Sequence, residues 1–192
     1  MKTYIYMIRH GESPKDGDNE RTRGLTDKGM SGAHLVTDIL KNEEIDTFIS
    51  SPYSRAIVTI EGLAQSMGKE IMIYEELKEI VFLNDDKILP EHELYPTVTK
   101  MFNDRHYSLP EGESIVDCQA RAINVFKQIL SIYKGQKIAI GTHGAIMTLI
   151  MGYFDSQYDL EFLLKTSKPD IYRMEFDGEQ LIEVKRFWKN DC

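Results

Sequence analysis

Apolar positions along this chain follow two rhythms. Short, largely apolar stretches fall at residues 4–8, 47–50, 71–74 and 137–141, bounded by polar or glycine-containing segments, and predict buried strands. Between them the spacing is helical. Thr26 is placed as a helix N-cap, with Gly29 in the first turn and Met30, Ala33, Ile39 and Leu40 along the inner stripe. Ser51-Pro52 opens a second helix reaching about residue 67, with Ile57, Ile60 and Leu63 inward. A long helix is predicted over about 114–133, its buried stripe made of Ile115, Cys118, Ala122, Val125, Phe126 and Ile129. Its start, Ser114-Ile115-Val116-Asp117, has the form of a capping box with Asp in place of Glu. Another helix spans 144–152. Two last runs, 171–176 and 180–187, flank Asp177-Gly178 and predict an antiparallel hairpin.

Two stretches break the rhythm. Residues 13–23 are polar and read as a loop. From 77 to 110 the periodicity fails around Pro90, Pro96 and Pro110, which reads as a lid insertion of about 77–113. Strands alternating with helices, then a hairpin, predict an α/β fold. The expected architecture is a three-layer α/β/α sandwich around a mixed, mostly parallel sheet, as a single domain of 1–192.

Bulk composition narrows the class. The 192 residues carry 31 acidic and 23 basic side chains, a net charge of −8, which argues against nucleic acid or an anionic membrane as partner. No signal peptide and no apolar stretch of spanning length is read, so a cytoplasmic protein is the expectation. Cys118 lies in a helical pattern and Cys192 is the last residue, so no structural disulfide is expected. The hairpin offers an edge through which copies of the chain can pair, but the pattern does not reveal the oligomeric state.

The candidate chemistry sits where strands end. Arg9-His10-Gly11-Glu12 follows the first strand and Thr142-His143-Gly144 the fourth. The carboxyl edge of an α/β sheet is where such folds bind ligands. Ser50-Ser51-Pro52-Tyr53-Ser54-Arg55-Ala56 adds a second arginine at a third strand end. Histidines beside arginines suit phosphoryl chemistry, which needs cationic donors around the phosphoryl oxygens and an in-line nucleophile. Arg9, Arg55 and His143 are the candidate donors, assisted by backbone N–H groups where the helix starts near Gly144. His10 is the candidate nucleophile, held neutral by the neighbouring arginines. The same arginines disfavour a metal between the histidines. His34, His92 and His106 show no partner pattern.

Five motifs in order, Arg9-His10-Gly11-Glu12-Ser13, Gly24-Leu25-Thr26-Asp27-Lys28-Gly29, Ser50-Ser51-Pro52-Tyr53-Ser54-Arg55-Ala56, Gly112-Glu113-Ser114 and Thr142-His143-Gly144, resemble those of the histidine phosphatase superfamily, the family of cofactor-dependent phosphoglycerate mutases and their phosphatase relatives. The resemblance covers roughly residues 5–150. It implies His10 as nucleophile, and Arg9, Arg55 and His143 around the phosphoryl group. In Leu77-Lys78-Glu79 it implies Glu79 as proton donor, with Glu12, Asp85 and Asp86 as alternative acids. It implies no metal and no organic cofactor.

The chain departs from the family pattern around the lid. Residues 80–86 replace the usual lid entrance, and Asp16 stands where an asparagine often contacts phosphate, unless Asn19 serves. Arg21, Arg23 and Gly24 are therefore candidate substrate positions, the arginines for the lost contact or a second anion. Phe82, Tyr95, Phe102 and Tyr107 suggest an apolar wall or packing within the lid. Residues 75–117 hold 11 acids against 4 bases, which disfavours small, multiply charged substrates. The expected function is metal-independent hydrolysis of a phosphomonoester, a small metabolite or a phosphoprotein, through a phosphohistidine. Mutase-type transfer and non-catalytic phospholigand binding are the alternatives.

Overall fold

A computed structural model describes residues 1–15 and 19–189. Six strands, β1 (Lys2–Arg9), β2 (Thr47–Ser50), β3 (Ile71–Ile73), β4 (Lys137–Thr142), β5 (Asp170–Asp177) and β6 (Gln180–Arg186), form one sheet in the order β3-β2-β4-β1-β5-β6. The first four of that order run parallel, and β5 and β6 are antiparallel to their neighbours. Helices α1 (Asp27–Leu40) and α2 (Ser54–Ser66) cover one face, packing Val36, Leu40, Ile60 and Leu63 on Tyr6, Ile8 and Phe48. Helices α4 (Ile115–Ile132) and α5 (Gly144–Phe154) cover the other, against Ile5, Met7, Ile138 and Ile140. The result is the expected three-layer sandwich.

Two central strands, β1 and β4, are covered on both sides, which is why both read as unbroken apolar runs. All residues of α5 from Gly144 to Met151 are buried, so its sequence lacks a polar face. The caps follow the sequence. Thr26 accepts from Gly29 N–H, and Ser114 accepts from Asp117 N–H at 3.2 Å. The Asp117 carboxylate does not complete a capping box in the usual way: it accepts from the Ser114 hydroxyl at 2.6 Å.

Two expected inner stripes are corrected. Met30 is exposed, and α1 approaches the sheet edge through its glycines instead. A Cβ at Gly29 would lie 2.0 Å from the Glu12 carbonyl oxygen. Ile57 is only half buried, and α2 turns Ala56, Thr59, Ile60 and Leu63 inward. Two helices escaped the periodicity. In the lid, α3 (Glu91–Asn103) carries Pro96 inside it and buries only Met101. After α5, α6 (Leu160–Lys165) is six residues long and buries none fully. The rest of the lid contains single 3-10 turns at Glu75–Leu77 and Asn84–Asp86. Among the described residues no helix is long and apolar enough to cross a membrane.

Candidate active site

Sheet register brings the candidate residues together. Arg9 pairs with Thr142 across β1 and β4, so His10 and His143 leave neighbouring strands at the same edge. His10 N–H donates to the Thr142 carbonyl and Ser51 N–H to the Gly141 carbonyl, both at 3.0 Å. The three strand ends are thus tied by main chain before any side chain acts. The antiparallel strand β5 begins at this edge too, with Asp170 opposite Arg9, and this brings the loop after α6 to the site.

The hydrogen bonds of His10 define its tautomer. Its Nδ1 lies 2.6 Å from the Gly11 carbonyl oxygen, which only accepts, so Nδ1 carries the hydrogen. The lone pair is then on Nε2, where Arg55 Nε donates at 3.2 Å. Burial first, then the charges of Arg55 and Arg9, hold the His10 pKa well below the ordinary histidine value. Arg55 is 1% exposed and is itself oriented from the polar loop. Its guanidinium meets the Glu20 carboxylate at 2.7 Å and the Glu20 carbonyl at 2.5 Å, and stacks over Tyr53.

His143 is fully buried, its ring 5.2 Å from those of both His10 and Tyr53. Burial and the charge of Arg55 lower its pKa also. Its Nε2 lies 2.7 Å from the Ser51 hydroxyl, while its Nδ1 is buried without a partner among the described residues. Arg9 is anchored by the Thr166 carbonyl and hydroxyl, and its Nε likewise has no partner among the described residues. Two buried, unsatisfied donor positions beside a histidine lone pair mark the place for an anion. Gly144 lets Arg9 lie there: a Cβ at Gly144 would stand 2.8 Å from the Arg9 guanidinium carbon.

Glu79 faces this group from the lid side. Its Oε1 accepts from Ile80 N–H at 3.0 Å and Ile146 N–H at 2.8 Å, and its Oε2 from Ala145 N–H at 3.0 Å. The N–H groups of Ala145 and Ile146, in the first turn of α5, are therefore directed at Glu79, not at the phosphate position as the sequence suggested. Arg121 clamps the segment behind Glu79. It donates to the carbonyls of Glu76, Lys78 and Glu79 and pairs with Glu113 at 2.6 Å.

These side chains line a cavity of about 230 Å³ that includes Arg9, His10, Tyr53, Arg55 and Glu79. An outer chamber of about 530 Å³ adjoins it, between α3 and α6. The two share Arg9, Glu79, Phe82, Glu91, Leu94 and Lys168.

The profile of the histidine phosphatase superfamily, branch 1, matches residues 5–189. The chain belongs to the histidine phosphatase superfamily. It is 27% identical over 157 residues to a probable phosphoglycerate mutase GpmB of Yersinia pestis, covering 77% of this chain and 72% of that one. Among solved structures, YhfR of Bacillus stearothermophilus superposes with a TM-score of 0.78 at 24% identity, covering 94% of each chain. A mycobacterial glucosyl-3-phosphoglycerate phosphatase superposes at 0.77, with 15% identity over 97% of each chain. A phosphoserine phosphatase of Entamoeba histolytica, solved with phosphoserine, superposes at 0.76, with 20% identity over 94% of each chain.

The remaining candidates of this superfamily member separate. Arg23 lines the inner cavity, held by Glu20 at 2.9 Å and by the Ser13 hydroxyl at 3.0 Å. Arg21 lines neither cavity, since Glu75 and Asp86 engage it at 2.7 and 3.0 Å. Gly24 lines neither, and its carbonyl accepts from the Ser13 hydroxyl. Asn19 accepts from Arg21 N–H. Asp16, the Asp85 side chain and Cys192 lie outside the described residues. Asp86 is engaged by Arg21 and Tyr53, and Glu12 by Thr26 and Lys28. Phe82 and Tyr95 line the outer chamber, and Phe82, Phe102 and Tyr107 pack on the core. His34, His92 and His106 are exposed.

The acidic lid also looks different in three dimensions. Glu75 and Asp86 meet Arg21, Glu91 meets Lys15, and Glu113 meets Arg121. Four of the lid's acids are thus paired with cations and do not form a bare negative wall. Sequence reasoning missed Glu20, Thr166 and Lys168. Glu20 and Thr166 orient the two arginines, and only the antiparallel start of β5 brings Lys168 to this edge.

Proposed function

We propose that this protein hydrolyses phosphomonoesters through a covalent phosphohistidine on His10. One observation carries the reading: a neutral imidazole on a cavity lined by Arg9, Arg55 and Glu79, with its Nε2 lone pair turned to Arg55 and the His143 ring 5.2 Å away. In the first step Nε2 attacks phosphorus, the ester P–O bond breaks, and the leaving oxygen takes a proton from Glu79. In the second step a water oxygen attacks phosphorus, its proton passes to Glu79, and the N–P bond breaks to release inorganic phosphate. Glu79 Oε2 accepts one N–H where Oε1 accepts two, so Oε2 keeps a free lone pair and is the assigned proton carrier. Donation of the Ser51 hydroxyl to His143 Nε2 places the His143 proton on Nδ1, the atom without a partner. That N–H and Arg9 Nε then serve the phosphoryl oxygens, strengthening as charge develops.

Hydrolysis is favoured over mutase transfer by the outer chamber. A mutase must retain its product and exclude water, whereas here a space of about 530 Å³ shares six lining residues with the phosphate cavity. The phosphatases among the solved neighbours accord with this reading, and the cavity sizes suit a small molecule better than a folded phosphoprotein.

Phosphate release from a panel of phosphomonoesters and one phosphopeptide, with and without EDTA, tests the proposal. We expect turnover unaffected by EDTA and reduced by at least about 10⁴-fold in His10→Ala. Equal turnover in His10→Ala overturns it. Interconversion of 3- and 2-phosphoglycerate faster than phosphate release would assign the mutase reading instead.

A further inference from the structure

The two cavities carry many charges, and nearly all have partners. Glu12 meets Lys28 at 3.3 Å, Lys15 meets Glu91, and Arg23 and Arg55 meet Glu20. Arg9 holds Thr166, and Glu79 holds three backbone N–H groups. Lys168 is the exception. It lines both cavities and makes no hydrogen bond or ion pair among the described residues.

Its loop is braced on three sides. Thr166 is held by Arg9, and the Ser167 backbone and Arg186 are held by the Asp170 carboxylate. Pro169 packs so closely on α1 that a Cβ at Gly32 would lie 2.6 Å from its ring. Lys168 is exposed to solvent, and what sets it apart is its place: a fixed loop presents it where the two cavities meet, with no carboxylate partner among the described residues, an arrangement that suits an anion. Desolvation at the cavity wall, then the charges of Arg9, Arg23 and Lys15, lowers its pKa to about 8, so it is mostly charged at neutral pH.

With the other charges neutralised in pairs, the outer chamber presents mainly Phe82, Leu94, Tyr95, Val98, Leu163 and Leu164. Its size lies within the range of roughly 300–1,000 Å³ common for small-molecule pockets. We propose that the substrate is a phosphomonoester with two further features: an anionic group close to the ester oxygen, held by Lys168, and an apolar, ring-sized body seated on Phe82, Leu94 and Leu163. This deepens the hydrolase reading and rests on it for the position of the phosphate. The anion is a carboxylate or a second phosphate, since one lysine serves either.

Calorimetric binding to the His10→Ala protein tests this without turnover. The probes are phenyl phosphate, 2-carboxyphenyl phosphate, 1,2-phenylene bisphosphate and phosphoglycolate. We expect at least one of the doubly anionic aryl probes to bind about 10- to 100-fold tighter than phenyl phosphate, the range for a hydrogen bond to a charged group. The tighter of the two identifies the anion. Phosphoglycolate, which has the anion without the ring, should bind about tenfold more weakly than 2-carboxyphenyl phosphate. Adding Lys168→Met should collapse the preference over phenyl phosphate towards unity. Adding Leu94→Asp should collapse the preference over phosphoglycolate.

Ratios between probes cancel any general loss of folded protein. A preference near unity in the His10→Ala protein without further substitution overturns the proposal. So does an equal weakening of all probes by Lys168→Met, which would place Lys168 on the transferring phosphate. If the binding pattern holds while the unmodified enzyme releases no phosphate from any probe, the hydrolase reading fails and the ligand assignment stands.

Discussion

The floor of the site and its outer wall are built in opposite ways. On the floor, the strand ends of β1, β2 and β4 are locked by main-chain bonds, and His10, Arg55 and His143 each occupy a buried position set by a named partner. On the wall, the lid adds to its apolar packing a set of side-chain pairs that reach solvent, such as Arg21 with Glu75 and Lys15 with Glu91. The difference teaches where precision is needed. Phosphoryl transfer tolerates little displacement of its donors, whereas a wall that selects a leaving group can shift and still function.

The sharpest test of the floor is Gly144→Ala. The added methyl would stand 2.8 Å from the Arg9 guanidinium carbon, too close for any real contact, so the guanidinium must move. A displacement of about 1 Å at a catalytic donor costs on the order of 10²-fold in rate, and that loss is expected in kcat/KM. Near wild-type activity in Gly144→Ala would show that the floor is as adjustable as the wall.

Glu20→Ala asks the same question at lower cost. Arg55 would keep His10 and the Glu20 carbonyl but lose its only carboxylate partner among the described residues. Loss of a hydrogen bond from a buried charged group predicts about 1–3 kcal/mol of destabilisation and a fall in kcat of about tenfold. Denaturant unfolding and steady-state kinetics read both numbers. A change in KM alone would place Glu20 with the wall.

Buried histidines also give the floor a pH signature. His10 and His143 have depressed pKa values in the fold and ordinary ones, near 6.5, when unfolded. Below about pH 6.5 the unfolded chain therefore binds protons that the fold refuses, and stability falls as pH falls. Above that range both states are neutral and the contribution is flat. In phosphate-free buffer, His10→Asn should therefore lower Tm less at pH 5 than at pH 8. An equal effect at both pH values would mean that His10 is charged in the fold, contrary to its assigned tautomer.

What the sequence made legible follows the same division. The floor depends on short local signals: an apolar run, then a histidine and a glycine at its end. Those signals placed His10 and His143, and the strand-end segment 50–56 placed Arg55, without any tertiary information. The wall depends on contacts between distant segments. Pro96 reads as a breaker, yet α3 continues through it, and α6 is too short to show a period. Arg21 and Arg23 are indistinguishable by spacing, and only the lid position sends one to Glu75 and the other to the cavity. Lys168 has no local signal, because its place follows from the direction in which β5 pairs with β1.

Arg21→Ala probes the wall and carries the smallest expected effect. Arg21 bridges the loop below the lid to Glu75 and Asp86, and both Arg21 and Glu75 are more than a third exposed. Solvent screening limits such pairs to about 0–1 kcal/mol each, so Tm should fall by no more than a few degrees. Because Arg21 touches neither cavity, kcat should stay within about twofold while KM rises about two- to threefold as the lid loosens. The cause is electrostatic, so raising the salt to about 1 M, where the Debye length is about 3 Å, should bring the wild-type KM to that of the variant. A large fall in kcat, or a KM difference that persists in high salt, would mean that the lid is coupled to the chemistry through more than these ion pairs. The contrast between a rigid floor and a yielding wall would then have to be abandoned.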